Sequence, residues 1–328
     1  MSEAEDAQST LTRLLRHNLR VVKDDGSLAA VTVMGEWQDA DALKGYGGQV
    51  TVGLAECTDQ RLELSGKSRK RTSVLRVNVW ATEMPNAENG KVMRNKIVEE
   101  VNRVIRQNRA IPNQTLYDFV GCGFEGKGSR VFQGKSEASP DSSLWTELSN
   151  GEYQQLWYSD DVRYQKSYSG DGEYAALLLG FKLESRRNAV KKLVLSFEGY
   201  ATAPEGDSVT IKVWNSTQTA WQYERTQSGN EQDHTLTVTI SDSVVDFVDD
   251  EGYVWLLART TGSSDGLTSA VLFCDYASCT ATVNGITYCD VAGYRQLDRV
   301  DVKPFIYRTE FTVKSWLIEI LGVQKTSA

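Results

Sequence analysis

Leu11, Leu14, Leu15 and Leu19 recur at three- and four-residue steps behind Ser9, a helix-capping residue type, and predict a short helix with one apolar stripe. Asp24-Asp25-Gly26 reads as a turn, and residues 29–34 as a strand with Val31 and Val33 on one face. Val50, Val52 and Leu54 alternate with polar neighbours. After the polar stretch 58–71 the alternation resumes, with Leu75, Val77 and Val79 facing one way and Arg76, Asn78 and Trp80 the other. The two runs predict a long antiparallel hairpin with a polar tip. Beyond Pro85 and Gly90, apolar residues at Met93, Ile97, Val98, Val101, Val104 and Ile105 predict a helix over about 89–108.

From about Gly121 helical periodicity disappears and Gly, Ser and Asp rise. Short strands are predicted at 174–183, 192–200, 208–214, 235–241, 252–260 and 271–283, the last with an irregularity inside it. Strands at this spacing with no helix between them indicate a β-sandwich or jelly roll. Residues 305–321 then form one long alternating run, with Phe311, Val313 and Leu317 on one face. It is longer than any sandwich strand and matches the early hairpin. The expected architecture is therefore an α+β domain, an antiparallel sheet with covering helices, built from residues 1–124 and 286–328. An all-β sandwich of residues 125–285 is inserted into it.

A chain of 328 residues with 40% apolar content can fill two such cores. Its net charge of -8 argues against general nucleic-acid or anionic-membrane binding, both of which rest on a positive field. The acidic, polar start at residues 1–8 leads into no apolar secretory segment. The longest apolar stretches, 174–181 and 253–258, are far shorter than the roughly 20 residues of a spanning helix, so a soluble protein is expected. Cys57, Cys122, Cys274, Cys279 and Cys289 are read as mostly buried free thiols, with a disulfide among the last three left open. Their spacing is not that of a zinc finger.

Residues 121–126 satisfy G-x-G-x-x-G, but no helix pattern opens after them, and a boundary loop is the better reading. Acidic clusters at Asp160/Asp161 and at Asp246, Asp249, Asp250 and Glu251 lack EF-hand spacing and read as solvated turns. No residue set has the types and spacing of a catalytic site, so no enzyme, cofactor or metal centre is expected. Lys67, Arg69, Lys70 and Arg71 form the one dense basic run, placed at the hairpin tip. It is a solvated turn, or a ring or channel contact if that tip faces a channel carrying DNA. Among the sandwich aromatics, Trp255 is expected in the core, while Trp221 and Tyr223 are candidates for stacking on a glycan.

The order of elements resembles the tail terminator (tail completion) proteins of long-tailed phages and archaeal viruses. The likeness lies in residues 10–19, in Thr72-Ser73-Val74-Leu75-Arg76-Val77-Asn78-Val79-Trp80, in the helix through Ile97 and Val101, and in the late run from Gly293-Tyr294-Arg295 to Val313. It covers about half the chain. The middle part resembles the sandwich domains of carbohydrate-binding modules and viral adhesins, through Leu193-Val194-Leu195-Ser196-Phe197-Glu198-Gly199, residues 209–215 and Phe273-Cys274-Asp275-Tyr276. The first resemblance implies a virion neck or tail protein, assembled in the host cytoplasm. It would form a ring, usually of six subunits, that joins the tail tube protein to the head-tail connector and projects its sandwich outward. The second implies a glycan-binding or adhesin-type accessory protein.

Overall fold

In a computed structural model that describes residues 3–35, 48–63, 68–83, 89–122, 128–229, 232–301, 303 and 305–320, the first helix, α1 (Ala7–Asn18), starts from Asp6. The Asp6 carboxylate accepts the Ser9 amide at 2.7 Å, so Asp6 is the cap and Ser9 lies inside the helix. The chain continues through β1 (Val31–Gly35), β2 (Gly48–Arg61), β3 (Ser68–Thr82), α2 (Gly90–Gln107), β4 (Gln114–Tyr117), β5 (Arg130–Gly134), β6 (Thr146–Glu147) and α3 (Asn150–Gln154). Then come β7 (Tyr164–Tyr168), β8 (Ala176–Lys182), β9 (Val190–Thr202), β10 (Ser208–Asn215), β11 (Ala220–Ser228) and β12 (His234–Ile240). β13 (Tyr253–Thr260), β14 (Ala270–Val283), β15 (Tyr288–Gln296) and β16 (Ile306–Ile320) complete the order. No helix among the described residues is long and apolar enough to cross a membrane.

The chain divides into two compact units, residues 1–115 with 283–328, and residues 116–282. These limits differ from the expected 124/125 and 285/286. Tyr117, Phe119 and Cys122 already belong to the core of the second unit, while Ile286 and Cys289 belong to that of the first.

In the first unit one sheet runs β1-β2-β3-β16-β15. β16 pairs antiparallel with β3 from Ile306↔Thr82 to Ile320↔Ser68. Contrary to the expected all-antiparallel sheet, β1 pairs with β2 in parallel. A parallel connection needs about a dozen residues, and the interval between the two strands supplies that length. Leu11, Leu14 and Leu15 of α1 and Ile97, Val101, Val104 and Ile105 of α2 are fully buried in one core with Val50, Val52, Leu75, Val77, Val79, Phe311 and Val313. Both helices therefore cover this sheet, each by the apolar stripe its spacing creates.

The polar stretch 58–71, read from sequence as a separating tip, is largely paired strand. Asp59↔Arg71, Gln60↔Lys70 and Arg61↔Arg69 continue the β2–β3 ladder, and β16 pairs the other edge of β3 over the same residues. Strand partners on both sides satisfy the backbone of β3, which lets polar side chains ride on a solvated ribbon.

In the second unit two sheets, ordered β11-β10-β13-β8-β5-β6 and β12-β9-β14-β4 with β7 also on β14, enclose a single core. The first contributes Leu177, Leu179, Phe181, Ile211, Val213, Val254 and Leu256. The second contributes Leu193, Leu195, Phe197, Leu236, Val238, Leu272 and Cys274. Two sheets with interdigitating inner faces make a β-sandwich. All five cysteines are free thiols. Cys57 is exposed and the other four are buried.

Candidate functional site

The outer face of the six-stranded sheet carries what the inner face cannot hold. Val209, Ile211 and Val213 of β10 point into the core, so Lys212 and Trp214 point out. On β13 the inward residues are Val254, Leu256 and Ala258, which leaves Trp255 and Arg259 outside. Trp255, expected in the core because its sequence neighbours are apolar, is thus on the outer surface and half-buried. Its flanking leucines misled the reading because Leu257, though outward, is itself covered.

Strand register lines three tryptophans up across neighbouring strands. Trp221 of β11 is directly opposite Trp214 of β10, their rings edge to face at 5.0 Å. Val213 is opposite Leu256, so the next step of the same ladder puts Trp214 beside Trp255. Trp255 is opposite Gly180, and a Cβ on Gly180 would lie 2.3 Å from the Trp255 ring, so the missing side chain is what lets the indole lie flat over β8. The row ends at Arg130 of β5, opposite Gly180. With strands about 4.8 Å apart, the three rings span roughly 10 Å. All three residues are half-buried.

Two of the three rings are held by their indole N–H groups. Trp221 Nε1 donates to the Ala138 carbonyl (3.2 Å), and Trp255 Nε1 to Asp249 Oδ2 (2.9 Å). Tyr253 stacks on Trp255 with centroids 5.0 Å apart. Segment 135–145 borders the row on one side. Its Glu137 bridges Lys212 (2.5 Å) and Arg259 (2.9 Å), and its Trp145 lies against Gly134. Segment 244–251 borders the other, tied down by Ser216 and Thr217 amides donating to the Asp246 carbonyl. The acidic residues of that segment are engaged locally. Asp249 accepts the Glu251 and Tyr253 amides, and Asp250 pairs with Arg187 at 2.5 Å.

Tyr223 does not join Trp221. A β-bulge between Ile211 and Val213 sets Tyr223 and Glu224 opposite Lys212, with Tyr223 at φ 55°. The extra residue turns the Tyr223 ring inward against Phe247 at 5.3 Å, packed on the core, while Glu224 stays outside 3.2 Å from Lys212. The sequence reading missed Trp214 as a surface group. The signal was there in the alternation Val209-Ile211-Val213, which leaves Trp214 on the polar face.

The basic run is not a loop cluster. Arg69, Lys70 and Arg71 lie within β3, where Arg71 pairs with Asp59 (3.0 Å) and Lys70 sits 5.1 Å over the Trp316 ring. Lys67 lies outside the described residues, as do residues 123–127 of the glycine-rich run.

Residues 129–283 match a family model described as the C-terminal domain of an uncharacterized protein. No curated protein matches the chain. Among solved structures it is similar to one titled "CBM4 structure and function", at 11% identity over 47% of this chain and 94% of that one, TM-score 0.27. It is also similar to the xylan-binding module CBM15, at 12% identity over 52% and 97%, TM-score 0.29. A third is TmCBM61 in complex with β-1,4-galactotriose, at 10% identity over 54% and 93%, TM-score 0.22.

Proposed function

We propose that the chain is a carbohydrate-binding protein whose sandwich holds an oligosaccharide across the outer face of its six-stranded sheet. The observation that carries this reading is the row Trp221, Trp214, Trp255. Sugar rings present apolar C–H faces that stack on aromatic rings, while their hydroxyls need polar partners at the edge. The row supplies rings two strand steps long, and Lys212, Glu224, Glu137, Arg259 and Arg130 stand around it. Indoles fixed by hydrogen bonds lose little freedom on binding, which favours affinity.

The test is a glycan array followed by calorimetry with the best oligosaccharide. Trp214→Ala and Trp221→Ala are expected to keep the fold and lose binding by about 30-fold or more, as for a truncated aromatic anchor at about 2 kcal/mol. An array with no bound glycan, or tryptophan variants that bind as tightly as the parent chain, overturns the reading.

A second reading concerns the first unit. Among the described residues, β2 from Gly53 to Arg61 pairs only with β3, so one edge of a long exposed ribbon is open to strand addition. That edge supports self-assembly into a ring, as a neck or tail-end virion protein requires. Sedimentation velocity of the full chain tests it: a cyclic oligomer is expected, and a monomer at tens of micromolar sinks it.

A further inference from the structure

On the second sheet of the sandwich, three aspartates from distant segments converge. Asp161 lies ahead of β7, Asp233 just before β12, and Asp275 on β14. One carboxylate oxygen from each lies within 4.8 Å of those of the other two. A cluster of acids alone would be unremarkable on a protein surface. Here one member is not on the surface: Asp275 is 1% exposed, and its Oδ1 is buried with no hydrogen-bond partner.

The strand explains how Asp275 comes to be there. Leu272 and Cys274 of β14 face the core, and then Ala277, Cys279 and Ala281 do, so the alternation slips by one residue at Asp275-Tyr276. A buried carboxylate oxygen without a partner is costly unless a ligand completes it.

Arg163 is the local cation. Its guanidinium reaches both oxygens of Asp233 (Nε to Oδ1 3.0 Å, Nη2 to Oδ2 2.7 Å) and Asp161 Oδ1 (2.8 Å). One positive charge against three carboxylates leaves two negative charges when all are ionised, and Arg163 has no hydrogen bond to Asp275 Oδ1. Its side chain is 29% exposed and lies over the Tyr200 ring at 5.7 Å, a position on the rim from which it can swing outward.

We propose that Asp161, Asp233 and Asp275 form a binding site for a divalent cation of calcium's size, seated on Asp275 Oδ1, with Arg163 as the counter-ion it displaces. Calcium's size fits oxygens that lie within 4.8 Å of one another. Oxygens bound to calcium at about 2.3–2.6 Å lie up to roughly 5 Å apart across the ion, which spans the cluster. Magnesium, at about 2.0–2.1 Å, spans only roughly 4.2 Å and keeps most of its water.

The experiment is calorimetric titration of the full, chelator-treated chain with CaCl2, paralleled by terbium luminescence excited through the aromatic residues. The parent chain is expected to bind one ion. Asp275→Asn and Asp161→Asn are expected to weaken binding by at least about tenfold, since affinity follows the ligand charge count, and Arg163→Gln to tighten it. Asp161 is exposed, so its variant keeps the test open if Asp275→Asn does not fold. No binding to the parent chain at millimolar calcium overturns the proposal. So do Asp161→Asn and Asp275→Asn variants that bind as the parent does, or binding seen only in Arg163→Gln, which would make the arginine the permanent occupant. Magnesium binding as tight as calcium overturns the size assignment.

Discussion

Gly180→Ala is the sharpest perturbation of the tryptophan row, because it adds one methyl group to the face without touching an aromatic residue. The new Cβ would stand 2.3 Å from Cζ3 of Trp255 and 2.8 Å from Cε3 and Cη2. Carbon atoms rest at about 3.5–4.0 Å, so the indole must retreat by roughly 1.2–1.7 Å. It is held on one edge by its 2.9 Å bond to Asp249 and stacked on Tyr253, so retreat strains or breaks these contacts. Overpacking of this kind costs about 1–3 kcal/mol. For a unit of this size that lowers Tm by about 2–4 °C per kcal/mol. Glycan affinity should fall with it, since the third ring leaves the row. The assay is a thermal melt and a glycan titration of Gly180→Ala, Trp255→Ala and the double variant. The methyl group has nothing to clash with once the ring is gone, so the double variant should be little less stable than Trp255→Ala while still binding weakly. Unchanged Tm and unchanged affinity in Gly180→Ala would refute the placement of the ring.

Residues 116–282 expressed alone should melt cooperatively, whereas residues 1–120 alone should not, because β16 supplies Phe311 and Val313 to their core and pairs β3 along its length; circular dichroism melts decide it. Asp298→Ala should cost about 3–5 kcal/mol in denaturant titrations, since it strips the fully buried Arg94 of its 2.9 Å carboxylate partner. Adding Arg94→Met should recover much of that loss. In Glu100 the Arg103 guanidinium, donating at 2.6 and 2.7 Å, holds the carboxyl below its ordinary 4.5, so its stabilisation is present above that pH and fades as pH falls through the depressed value. Glu100→Gln should therefore be less stable than the parent by up to about 1 kcal/mol at pH 7, with the gap closing in acid melts.

Much of the fold is written in local pattern. The stripe Met93-Ile97-Val101-Val104 sufficed for α2, and the alternation Leu75-Val77-Val79 for the centre of β3, because each side-chain period matches one backbone geometry. The six predicted sandwich strands correspond to β8, β9, β10, β12, β13 and β14. Strands whose pairing is supplied by a partner rather than by their own alternation were not legible. β11, the edge strand Trp-Gln-Tyr-Glu-Arg-Thr-Gln-Ser after Ala220, has almost no apolar face, and β15 is interrupted by Asp290 and Gly293.

The same division runs through the candidate sites. That Trp221 sits in a polar setting can be read from its neighbours, and β10 and β11 are consecutive strands, but the row with Trp255 depends on β13 lying beside that hairpin, a pairing far apart in the chain. A single bulge, invisible in composition, sends Tyr223 inward and separates it from Trp221. Asp161, Asp233 and Asp275 are each unremarkable in sequence. They meet because sheet pairing brings three loops and strand edges to one point, and no local spacing encodes a convergence that long-range strand order creates.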